Sequence, residues 1–208
     1  MGRCYSEKCK ICRARGEKLF LKGERCFSTK CPINRKGAVP PGQHGAKRKR
    51  KLSDFGLRLK ETQKIKDIYG ITERDLKRYF KRARKVAAAT GEALLQTLET
   101  RLDNLVYRLG FSPSRRLARQ IVSHKHILVD GKLVNIPSFQ VKPGQIINLG
   151  KRAIKMEEIK KTLAKKEITL PVWLERKAAV GRLVRFPKRE EIEIGVNEQL
   201  VVEYYSRR

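Results

Sequence analysis

The side chains best placed for chemistry in this sequence are thiols. Cys9 and Cys12 are separated by two residues and Cys26 and Cys31 by four. At those spacings both thiolates of a pair can converge on one tetrahedral ion without strain, and two such pairs complete a four-thiolate set for a single Zn2+. Four protein ligands leave no open coordination position, so the ion implied is structural. Little apolar sequence surrounds the pairs, and a bound ion would supply the stabilisation that burial cannot. Reduced structural cysteines are the plainer alternative and a redox pair the more remote one. Cys4 reads as a spare thiol able to substitute for Cys9.

Catalytic patterns are thin. Gly144 and Gly150-Lys151 resemble a phosphate-binding loop only loosely, with five residues between the glycines and Arg152 where a hydroxyl would bind magnesium. The sequence holds no HExxH, Gly-x-Ser-x-Gly or dinucleotide fingerprint. Of three histidines, His124 and His126 fall at a helix-to-strand junction, where surface or phosphate-adjacent roles outweigh an acid–base pair. No enzymatic activity is expected.

The abundant chemistry is positive charge. Fifty Lys and Arg against 21 Asp and Glu give a formal charge of +29, which calls for a polyanionic partner. Residues 1–51 hold 16 basic and 3 acidic side chains, the most cationic quarter. There, Val39-Pro-Pro-Gly-Gln-His-Gly45 runs into Lys47, Arg48, Lys49, Arg50 and Lys51. The neighbouring glycines permit close backbone approach, which favours phosphate contact over a merely solvated run. Further cationic clusters are Lys77, Arg78, Lys81 and Arg82, continued by Arg84 and Lys85, then Arg115, Arg116 and Arg119; His124 and Lys125 follow as further RNA-contact candidates. No apolar run approaches the roughly 20 residues that span a bilayer, and the N-terminus lacks a secretory apolar core, so a cytoplasmic protein is expected.

Elements must position these groups. Ser112 and Pro113 suit the cap and first position of a helix. Leu117, Ala118, Ile121 and Val122 share its apolar face, opposite Arg115, Arg116 and Arg119. The period then changes to strands at His126–Val129 and Lys132–Val134, joined by an Asp130-Gly131 turn. Pro143-Gly144 marks a second turn before Gln145–Leu149. Upstream, a helix over Leu57–Tyr69 ends at Gly70. Thr72 with Asp75 caps the next in a shortened capping box, and that helix buries Leu76, Tyr79, Phe80, Ala83 and Val86. A longer helix spans Glu92–Leu109, closed by Gly110. Downstream lie a helix over Lys155–Lys166, an irregular segment anchored by Trp173, a half-exposed strand at Glu191–Ile194 and a largely buried apolar run at Gln199–Tyr205. Glu190, Glu191, Glu193, Glu198 and Glu203 form an acidic strip that suits the chain's own basic surface or a basic neighbouring protein.

The helix-to-hairpin run, preceded by Thr100–Phe111, resembles the small RNA-binding module of the bacterial small-subunit ribosomal S-four family. That module also resembles parts of pseudouridine synthases, some tyrosyl-tRNA synthetases and stress proteins. Cys9 to Cys31 with Leu19–Arg25, Pro40–Gly45, Ile68–Ile71, Arg101–Gly110 and Val196–Leu200 fall in the order of the same family. The fold class expected is therefore α+β in three parts. Residues 1–45 form a zinc-binding segment with a Gly/Pro-rich loop, residues 46–91 a basic all-helical domain near which 196–208 packs back, and residues 92–195 an α+β domain with antiparallel strands, holding the module at about 99–161. The resemblance implies a ribosomal protein that is monomeric within the ribosome, binds the 5′ domain of small-subunit rRNA early at a multi-helix junction and nucleates its assembly. It also implies a place where messenger RNA enters, beside small-subunit proteins three and five, with influence on decoding accuracy and repression of its own messenger. One Zn2+ on Cys9, Cys12, Cys26 and Cys31, and messenger-facing cations at Lys47, Arg48 and Arg50, are implied likewise. A pseudouridine-synthase-like enzyme would need a further catalytic domain, and a zinc-dependent DNA-binding regulator would bind duplex DNA tightly.

Overall fold

The computed structural model describes residues 7–47, 51–86, 89–164 and 169–206, and the chain divides into two units. The first runs to Ala93 and resumes at Ile194, and the second spans Leu94–Glu193. In the first unit Lys8–Arg15 forms α1, a 3-10 turn covers Gly23–Cys26, and Pro32–Lys36 forms α2. Asp54–Tyr69 (α3) starts earlier than Leu57 because the Ser53 hydroxyl accepts from the Gly56 N–H and caps it there. Lys64 on α3 is buried, and its ammonium meets the Glu17 carboxylate and the Gly195 carbonyl. Glu73–Ala83 (α4) is capped by Thr72, whose hydroxyl accepts from the Asp75 N–H at 3.2 Å and donates to the Asp75 carboxylate at 2.9 Å. The short Asp side chain thus closes on the cap's hydroxyl. Leu76, Tyr79, Phe80 and Ala83 are buried as the pattern predicts, but α4 stops at Ala83 and leaves Val86 exposed.

The predicted helix Glu92–Leu109 is two helices, Thr90–Glu99 (α5) and Leu102–Arg108 (α6). The break has a tertiary cause. The Thr100 carbonyl accepts from the Val141 N–H and the Leu102 N–H donates to the Phe139 carbonyl, so this backbone is held in an extended bridge between Arg101 and Gln140. Arg115–Ser123 (α7) is capped by Ser114, not by Ser112. The Ser114 hydroxyl reaches the Leu117 N–H, while the buried Ser112 donates its own hydroxyl to the Ser114 carbonyl.

Ile127–Val129 (β1) and Lys132–Val134 (β2) pair through the expected hairpin, with Asp130 and Gly131 at φ 49° and 77°. The Lys142–Gln145 turn, with Gly144 at φ 88°, leads into Ile146–Leu149 (β3). Lys151–Ile154 (α8) and Glu157–Leu163 (α9) replace the single helix expected from Lys155, because Met156 is extended and precedes α9; Lys165 and Lys166 lie outside the described residues. Leu174–Lys177 (β4) and Val180–Leu183 (β5), not foreseen from the sequence, complete an antiparallel sheet of order β2-β1-β3-β5-β4. One sheet face buries Ile127, Val129, Ile147 and Leu183 in a core shared with Leu105, Leu109, Phe111, Ile121, Val122 and Trp173.

The Glu191–Ile194 stretch is no strand of this sheet. A 3-10 turn covers Arg189–Glu191, and the Glu191 carboxylate accepts from the Lys188 N–H and closes it. The last apolar run is a helix, Glu198–Ser206 (α10), with Val201, Tyr204 and Tyr205 buried at helical spacing. It packs in the first unit, where the Tyr205 ring lies 5.1 Å from Phe80 and its hydroxyl donates to Glu73 at 2.7 Å. Among the described residues no helix is long and apolar enough to cross a membrane.

Candidate nucleic-acid interface

In the first unit α4 is divided cleanly. Tyr79 and Phe80 are 1% and 5% exposed, so they are core and not stacking surfaces. Lys77, Arg78, Lys81 and Arg82 are all exposed, as are Arg84 and Lys85 beyond the helix end. Arg78 spends part of its charge on Asp75 at 2.8 Å. Lys47 is exposed after a Pro/Gly loop that Arg13 pins, donating to the Val39 and Pro40 carbonyls at 2.7 and 3.1 Å. That loop is tight. A Cβ at Gly45 would lie 2.0 Å from the Pro40 carbonyl oxygen. Arg48, Lys49 and Arg50 lie outside the described residues.

In the second unit the three arginines of α7 differ. Arg116 is exposed. Arg115 is half-buried, its Nε donating to Asn104 Oδ1 at 2.8 Å and its guanidinium 4.5 Å from the Tyr107 ring centre. Arg119 lies 3.8 Å from the Asp103 carboxylate. Behind them is a buried polar network that the sequence reading missed. Arg101 grips Asp103 with Nε and Nη2 at 3.0 and 2.7 Å, and Asn104 Nδ2 donates to Glu99 at 2.7 Å. Arg108 donates to both oxygens of Glu99 at 3.0 and 3.1 Å. Glu99, Arg101, Asp103 and Asn104 are each less than 5% exposed. Buried charges persist when paired and hydrogen-bonded, so the network fixes α6 and orients the inner arginines of α7. Polar residues inside an otherwise apolar Leu102–Leu109 stripe were the available signal. At the C-terminal end of α7 His124 and Lys125 are exposed, and the Lys125 ammonium also complements the helix dipole.

The acidic strip is divided between units. Glu191 pairs with Arg185, and Glu203 with Arg58 at 2.7 Å. Arg185 holds the Glu191 carboxyl down to about 2, helped by the Lys188 N–H.

Cys9, Cys12, Cys26 and Cys31 line one small cavity of about 20 Å³, room for a single ion-sized occupant. Cys12, Cys26 and Cys31 are buried and Cys9 is half-buried. The Lys22 N–H points to Cys26 Sγ at 3.3 Å. Burial pushes the Cys12 thiol up, a backbone hydrogen bond at Leu19 opposes this, and Cys26, Cys9 and Cys31 add to the rise. Among the described residues no three His, Cys, Asp or Glu side chains are arranged to hold a metal. Four thiols lining one cavity supply the donor types of a tetrahedral thiolate site, but not its geometry.

Comparison with known proteins finds two family models along the chain. The family described as the ribosomal protein S4/S9 N-terminal domain matches residues 3–99, and the S4 domain matches residues 100–147. The chain is 53% identical to small ribosomal subunit protein uS4 of Dictyoglomus turgidum, 50% to that of Thermodesulfovibrio yellowstonii and 48% to that of Thermus thermophilus. Each alignment covers 100% of both chains. These relatives are ribosomal proteins and not enzymes. With residues 3–147 matched by the two models and such likeness to its relatives end to end, the chain belongs to the ribosomal protein S4 family.

Proposed function

We propose that the protein is a cytoplasmic small-subunit ribosomal protein that binds the 5′ domain of the rRNA, nucleates its assembly and lies beside proteins three and five where messenger RNA enters. Influence on decoding accuracy and repression of its own messenger belong to the same reading. The observation that carries it is the exposed cationic face of α4, Lys77, Arg78, Lys81 and Arg82, set on an aromatic core that leaves those charges free of packing duties. Arg115, Arg116, Arg119 and Lys125, beside His124, supply a second set of contacts, and Lys47 with Arg48, Lys49 and Arg50 a third. Such surfaces recognise folded RNA by phosphate contact and shape. Cys9, Cys12, Cys26 and Cys31 would hold one Zn2+, which ties α1, the 3-10 turn and the start of α2 together.

Crosslinking in cells followed by sequencing of the attached RNA tests the reading. Reads concentrated in the 5′ domain of small-subunit rRNA are expected. Dominance by transfer RNA or DNA would overturn it.

A further inference from the structure

Two aromatic rings in the cysteine-bearing segment do no work in the core. Phe20 and Phe27 are 38% and 72% exposed, yet their rings stack on each other with centroids 5.0 Å apart and planes at 28°. Phe20 sits at φ 50°, a left-handed conformation that bulky residues rarely adopt. The preceding Leu19, by contrast, is 4% exposed and anchors the segment. Phe27 is fixed from the other side, its N–H donating to the Glu24 carbonyl at 3.0 Å at the end of the 3-10 turn. A strained backbone therefore displays one ring behind another, and the outer ring is largely open to solvent. Lys22, Arg25 and Lys30 are exposed within the same short stretch.

We propose that the Phe20–Phe27 pair is a stacking platform for one unpaired RNA base, with Lys22, Arg25 and Lys30 meeting the flanking phosphates. The proposal rests on the RNA-binding reading above and adds a mode of contact to it. A planar ring with exposed cations two to five residues away along the chain matches the two parts of a nucleotide, since every base has a π-face and every linkage a charge. A protein partner would need to set acidic side chains around an apolar contact, and RNA meets both demands with one unit of its chain. Phosphate contact alone would leave the rings without a role.

The test uses the full-length protein and a transcript of the small-subunit rRNA 5′ domain, comparing wild type with F27Y and F27L. Stacking predicts that F27Y binds within about twofold of wild type, whereas F27L, apolar but not planar, binds about tenfold more weakly. The salt dependence of F27L should match that of wild type, because no charge is lost. Equal binding by F27L and wild type, or equal losses in F27Y and F27L, would overturn the proposal. If wild type itself shows no salt-dependent binding, the RNA-binding reading fails and the proposal with it. A benzophenone side chain placed at position 27 gives a readout independent of affinity. Within assembled small subunits it should crosslink to RNA at one site, and a crosslink to protein instead would overturn the proposal.

Discussion

At the scale of single residues the three arginines of α7 separate by what each already touches. Arg116 is exposed, so R116A should leave stability within about 0.5 kcal/mol of wild type while lowering the salt dependence of RNA binding by about one phosphate contact. Arg115 is engaged by Asn104 and Tyr107, and R115A should destabilise the fold by about 1–3 kcal/mol because Asn104 Oδ1 loses its donor. Thermal unfolding beside salt titration of RNA affinity distinguishes the two, and equal stability losses would refute the distinction. Glu191 offers a pH test. Its carboxyl is lowered from 4.5 to about 2, chiefly by Arg185, so folding favours its charged form. The pairing therefore adds stability above about pH 4.5 that is lost as pH falls through 2. A carboxyl-carbon NMR titration should show this late protonation, and R185A should return it toward 4.5. The cysteines give the third prediction at this scale. Purified protein should contain about one zinc per chain, and chelation should loosen the segment around α1 and α2. Metal analysis well below one zinc per chain would count against the thiolate site.

At the scale of elements, what was legible in the sequence was what local chemistry decides. Asp130-Gly131, Pro143-Gly144, Gly70 and the Thr72 cap are set by backbone conformation within a few residues, and each stands where its residue type points. The breaks were not legible. Thr100 and Arg101 carry no helix-stopping residue, and their extended path is imposed by hydrogen bonds to Phe139 and Val141. The turn between β4 and β5 was hidden too, because its positive-φ residue is Ala178 and not Gly or Asn. For α10, the β-prone Val and Tyr residues masked a helical spacing that becomes decisive once Tyr205 packs on Phe80. The cations of the candidate interface were readable as cations, but nothing in their types told that Arg115 is held and Arg116 is not. Close packing at β5 gives a prediction of its own. A Cβ at Gly181 would lie 2.4 Å from Leu109 Cδ1, and Leu109 is fully buried. G181A should therefore cost about 1–3 kcal/mol by overpacking. Denaturant unfolding checks it, and an unchanged midpoint would mean that Leu109 can move aside.

At the scale of the whole molecule the controlling quantity is the charge of +29 on 208 residues. Self-repulsion of that size disfavours the compact state of the free protein, and a polyanion relieves it. Both units keep exposed cations, Lys77, Lys81 and Arg82 in one and Arg116 and Lys125 in the other, while the buried charges Arg101 and Lys64 are paired inside. The surplus is thus outside, where counterions gather and can be released. If about eight phosphates are neutralised on binding, affinity should fall by roughly 10³ to 10⁵ between 50 and 200 mM salt. Replacing Lys77, Lys81 and Arg82 together by Gln should reduce the slope of log affinity against log salt by about three, since each removed phosphate contact lowers it by about one. None of the three is buried, so the thermal midpoint should hold or rise as repulsion is relieved. A flat salt dependence in the wild-type protein would count heavily against RNA binding through phosphate contacts. An unchanged slope in the triple variant would move the phosphate contacts away from α4 to the remaining basic surfaces.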